Sequence, residues 1–112
     1  MLTTKFKSID EIKTHLPEHV FVIHCNGCGE VGFSLEEARE TVDQLRDEKD
    51  IVGEEVADYV CRPDFTEKRL EMYEPDLEKA DAVLIFSCGV GTQTLADLLD
   101  MPVYTGCDTL KL

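Results

Sequence analysis

Apolar positions along the chain change their period several times, and each change marks an element. Ser8-Ile9-Asp10-Glu11 has the form of a capping box, and Ile9, Ile12 and Leu16 recur behind it at helical spacing, predicting a first helix to about His19. The apolar run Val20-Phe21-Val22-Ile23, continuing to His24 and Cys25, predicts a strand buried on both faces. After a turn over residues 26–33, Ser34-Leu35-Glu36-Glu37 is a second capping box, and Leu35, Ala38, Val42 and Leu45 carry a helix to about Lys49. β-branched residues over 51–60 predict a second strand closing at Cys61, and its polar body around Glu54 and Glu55 fits a sheet edge.

The carboxyl half continues the alternation. Pro63 suits the first turn of a helix whose apolar face is Leu70, Tyr73, Leu77 and Ala80, while Pro75 predicts a kink or a division into two short helices. Residues 82–88 form the most apolar strand, Gly89-Val90-Gly91 is expected as a tight turn, residues 92–99 as a short helix and residues 101–105 as a fourth strand. Alternating strands and helices make the fold class α/β. The expectation is a single domain over residues 1–112: a small parallel sheet of about four strands, helices on both faces, right-handed crossovers, Rossmann-like or flavodoxin-like.

Composition narrows the function classes. The chain has 112 residues, 43% apolar and 31% charged, enough for one modest core. With 24 acidic against 11 basic side chains its formal charge is −13, so it cannot neutralise a phosphate backbone, and no nucleic-acid partner is expected. Its apolar runs are far short of the roughly 20 residues that cross a bilayer, and the first residues lack an apolar leader. A cytoplasmic protein with no membrane partner is expected.

Five cysteines are many for a reducing compartment, where clustered thiols more often bind metal or do redox chemistry than form disulfides. In a parallel sheet the strand ends share one edge, so Cys25, Cys61 and Cys88, each expected to end a strand, converge there. Cys28 joins them from the turn after Cys25. Such a Cys₄ set suits an iron-sulfur cluster or a structural zinc. Gly27, Gly29, Gly89 and Gly91 let backbone N–H groups approach bound sulfur. Only Cys25 and Cys28 form a close pair, whereas zinc sites usually show two, which favours an iron-sulfur cluster over zinc.

Other features carry less. Cys107 reads as a small buried hydrophobe with a reserve role as ligand, and alternation turns His24 away from Cys25, toward local pairing. Gly27-Cys28-Gly29-Glu30-Val31-Gly32 satisfies the dinucleotide pattern, but the helix cap at Ser34 falls after its third glycine and the second strand is expected to end in Cys61 rather than an acid. Cys25-Asn26-Gly27-Cys28 stands too far from a helix start for a thiol-disulfide pair, and Gly89-Val90-Gly91-Thr92 lacks the lysine of a phosphate loop. The Glu and Asp runs read as solvated helix faces. Spacing assembles no catalytic triad or carboxylate pair, so catalysis by this chain alone is not expected.

Several strings carry a family likeness. His24-Cys25-Asn26-Gly27-Cys28, Cys61-Arg62-Pro63-Asp64-Phe65, Cys88-Gly89-Val90-Gly91-Thr92-Gln93-Thr94-Leu95 and Pro102-Val103-Tyr104 resemble, in order, the amino-terminal half of the methylenetetrahydrofolate reductase C-terminal domain family, over residues 18–110. The resemblance implies a non-catalytic electron-transfer subunit of one-carbon metabolism, with a [4Fe-4S] cluster on Cys25, Cys28, Cys61 and Cys88. The implied partner is a flavoprotein reductase. The rival expectations are a structural zinc module that assembles a complex, or a dinucleotide-binding Rossmann-like protein.

Overall fold

A computed structural model of the chain describes residues 2–26, 35–58, 60–87 and 89–111. The elements are β1 (Leu2–Phe6), α1 (Ile9–His15), β2 (His19–Asn26), α2 (Leu35–Leu45), β3 (Asp50–Asp58), α3 (Pro63–Leu77), β4 (Ala82–Phe86), α4 (Gly89–Leu98), β5 (Val103–Thr105) and β6 (Cys107–Lys111). A four-stranded parallel sheet has the order β3-β2-β4-β5, and β1 pairs antiparallel with β6 in a separate ribbon. The α/β class and the parallel sheet are therefore as the alternating pattern predicts.

Two cores lie on opposite faces of the sheet, as strand alternation requires. Val20 and Val22 of β2 with Leu84 and Phe86 of β4 pack under α1 and α2 against Ile12, Ala38 and Val42. Phe21, Ile23, Val83 and Ile85 face the other way, toward Tyr73 and Leu77 of α3 and Leu95 of α4. The chain leaves β2 for its neighbour β3 and then crosses back over β2 to β4, so right-handed crossovers put α2 on one face and α3 and α4 on the other.

Several local expectations change. The first helix stops at His15, and β3 ends at Asp58, so Cys61 lies in the turn before α3 instead of closing the strand. Pro75 neither divides nor ends the helix early: it falls in the last turn of an α3 that is continuous to Leu77, at the cost of the one bond its missing N–H would make to the turn before. Gly89 and Gly91 form no tight turn but the first turn of α4. A Cβ on Gly91 would overlap the Ser87 hydroxyl, which would have to turn aside. Nothing in the apolar pattern predicts the β1–β6 ribbon. Gly53 on edge strand β3 lies under the Phe21 ring, whose carbons come within 2.6 Å of where a Cβ would stand.

Candidate functional site

The connections from β2 and β4 part to opposite faces of the sheet, so the crevice beyond the carboxyl ends of these neighbouring strands is where open α/β sheets hold ligands. In register, His24 sits opposite Phe86 of β4, and Cys25 opposite Ala57 of β3. The ends of β2 and β3 are thus level, at Asn26 and Asp58, and β4 ends earlier, opposite His24.

Cys25 is 5% exposed and packs in the α3–α4 core with Ala57, Val60 and Leu95. The next strand-end segment is pinned by Thr66 of α3, which is buried and donates its hydroxyl to the Val60 carbonyl at 2.8 Å. The Thr94 hydroxyl of α4 donates to the Val90 carbonyl of its own helix at 2.9 Å and lies 3.4 Å from the Cys61 carbonyl. Cys61 itself is half-buried. The third segment, Ser87 and the first turn of α4, closes against the second, since a Cβ on Gly91 would meet both Ser87 and Val60. The segments bearing Cys25 and Cys61 and the residue before Cys88 therefore converge on one edge.

Cys28, Cys88, Gly27 and Gly29 lie outside the described residues, as does Gly32 of the dinucleotide pattern. Of the four expected ligands, Cys25 and Cys61 are described. No group of three or more metal-ligating side chains forms among the described residues. Cys107 belongs to the other face, buried beside Phe86 in the α1–α2 core, where it serves as a small apolar side chain. β3 ends in Asp58, an acid, which removes one of the two objections to a dinucleotide. The other turns on where α2 starts relative to Gly32, and α2 is described only from Leu35 onward.

Two buried polar groups at this edge have incomplete hydrogen bonding among the described residues. The Ser87 hydroxyl, 1% exposed, has no partner there. His24 is fully buried, stacked on Phe86 at 5.3 Å, and its Nε2–H donates to Glu54 Oε2 at 2.6 Å; its Nδ1 has no partner. Arg46 Nη2 holds the other Glu54 oxygen at 2.8 Å. Burial pushes the His24 pKa below its usual value, and Glu54 only partly offsets this. A neutral imidazole follows. The expectation that His24 pairs locally, away from Cys25, is met.

Sequence reasoning named Cys25 and Cys61 at this edge but not Thr66, Thr94 or the Glu54–Arg46 pair. The threonines sit at helical positions that give no sign of approaching a strand end, and Glu54 reaches His24 only through the β2–β3 register. Arg62, at the start of α3, lies over the Phe65 ring at 4.6 Å, and Phe65 and Val90 are exposed apolar residues beside Cys61 and Cys88 in sequence.

No protein-family model matches the chain, and neither does any curated protein or any solved structure.

Proposed function

We propose that this chain is an iron-sulfur electron-transfer protein, an accessory subunit that holds one [4Fe-4S] cluster through Cys25, Cys28, Cys61 and Cys88. The observation that carries this reading is the convergence of the β2 end, the 60–61 segment and Ser87 on one sheet edge, each carrying or adjoining one of these cysteines. The donor set fits the group. Thiolates are the ordinary ligands of such clusters, and hydrogen bonds to their sulfurs tune the potential. The Ser87 hydroxyl, buried next to Cys88, is a donor of that kind, and α4 opens at Gly89 with its amino end toward the same edge. Gly27 and Gly29, outside the described residues, would let backbone N–H groups approach the bound sulfur.

When bound, such a cluster supplies one-electron transfer. The chain's own contribution is to fix the thiols and limit water around them: Thr66 holds the backbone beside Cys61, and Val60, Ala57 and Leu95 wall in Cys25. The exposed Phe65 and Val90 offer an apolar rim at which a flavoprotein reductase, such as a methylenetetrahydrofolate reductase, would dock. A reducing, cytoplasmic setting suits unprotected thiols.

The test is metal and sulfide analysis of protein purified without oxygen. A brown sample with about four iron and four sulfide per chain is expected, its visible absorption bleached by dithionite. Cys61→Ser is expected to lose the iron and Cys107→Ser to keep it. One zinc without sulfide would replace this reading with the structural zinc module, and iron retained in Cys61→Ser but lost in Cys107→Ser would overturn the ligand assignment. Asp58 favours the dinucleotide carrier as the second reading. A metal-free protein with a melting temperature raised by NAD or NADP would support it, since ligand at 100 times its dissociation constant adds about 2.7 kcal/mol.

A further inference from the structure

At the opposite end of the sheet, where α3 and α4 finish, the molecule carries an apolar groove with an acidic rim. Its floor is Leu70 and Leu77 of α3, Leu98 at the end of α4, and Leu99 and Met101 beyond it. All but Leu77 are half-buried. Two adjoining depressions, of about 330 and 440 Å³, run along it.

The rim is Glu67, Glu71, Glu74 and Glu78, with Asp100 across from them. Along α3 the glutamates stand at i, i+4, i+7 and i+11, a spacing that keeps them on one helix face, each next to another carboxylate. All are exposed, and none is paired with a lysine or arginine among the described residues. No basic residue lines either depression. Like charges at these spacings work against the helix, so the stripe is a standing repulsion that a cationic partner would relieve.

We infer that this groove docks a basic amphipathic helix of a partner protein, with leucine or phenylalanine at i, i+3 or i+4, and i+7 on the floor and lysine or arginine flanking them against the glutamates. Charge decides the occupant. A second copy of a chain with net charge −13 would bring the same acidic rim against itself, and an anionic lipid surface would be repelled in the same way. The groove lies at the amino-terminal edge of the sheet, away from Cys25 and Cys61, so its occupant leaves the thiol edge uncovered. The inference does not rest on the metal reading.

The probe is a labelled helical peptide with lysines flanking a leucine stripe, titrated into the full chain purified without oxygen, beside a scrambled peptide of equal charge. Tight binding of the amphipathic peptide alone is expected, with amide shifts concentrated at Leu70, Glu74, Leu98 and Leu99. Glu71→Lys with Glu74→Lys is expected to weaken it by about tenfold or more. Glu36→Lys with Glu40→Lys on α2, the same change in net charge at exposed positions, is expected to leave it within about twofold. Equal weakening by both pairs, equal binding of the scrambled peptide, or no binding at all would overturn the proposal. So would concentration-dependent self-association that shifts the same amides without peptide.

Discussion

The two ends of β2 each carry a histidine bonded to a carboxylate of β3, yet the two pairs behave in opposite ways. At the amino end His19 Nδ1 meets Asp50 Oδ2 at 2.9 Å with both side chains about half exposed, and the carboxylate holds the histidine pKa above its usual value. At the carboxyl end His24 is fully buried against Phe86, and burial drives its pKa down although its carboxylate is closer. The contact is the same kind; the surroundings set the sign. Buried polar atoms with unfilled bonding capacity and a helical glycine pressed against Ser87 gather at the carboxyl end, whereas exposed ion pairs and solvated carboxylates mark the amino end.

Truncation should separate the ends most. His24→Ala leaves a cavity over Phe86 and deprives Glu54 of a partner, so a loss of about 2 to 4 kcal/mol is expected in denaturant unfolding. His19→Ala, at the exposed pair, should leave the unfolding midpoint within experimental scatter. Equal losses would show that burial is not what distinguishes the ends. A smaller effect is expected from Gly91→Ala, which drives a methyl group into the Ser87 hydroxyl and should destabilise by about 1 to 3 kcal/mol. In a Ser87→Ala background much of that loss should return, and an unchanged loss would place the strain elsewhere.

The finest effect is the titration of His19. Because its folded pKa lies above the unfolded 6.5, its contribution to stability is fully present below that pH and is lost as pH rises through the raised value. Asp50→Asn should bring the ring titration, followed by nuclear magnetic resonance, back toward 6.5. A midpoint that did not move would remove Asp50 as the cause.

What the sequence made legible follows from how local each signal is. Residues 20–25 and 82–86 announce themselves as central strands because every position is apolar or buried in sequence order, and β3 reads as an edge from its glutamates. The Ser8 cap is equally local: its hydroxyl accepts from the Glu11 amide at 3.2 Å. The ribbon is the reverse case. Leu2-Thr3-Thr4-Lys5-Phe6 pairs with a segment about a hundred residues away, and no short-range pattern encodes such a partner. Gly89 and Gly91 misled for a physical reason, since a glycine pair favours turns by default and only contact with Ser87 and Val60 explains it inside a helix. The glutamates of α3 were visible at their spacing, but a solvated face and a groove rim look alike until the leucines of α4 lie beside them.

Gly106 joins the two sheets through its backbone. The Gly106 amide donates to the Ile85 carbonyl of β4 at 2.9 Å, its own carbonyl accepts from the Lys7 amide at 2.9 Å, and the Phe86 ring lies against its Cα, leaving no room for a side chain. Cooperativity therefore has a seam at this peptide. The β1–β6 ribbon is expected to open at lower free energy than the four central strands, its amides exchanging with solvent before theirs, with Gly106 marking where one opening event gives way to the other.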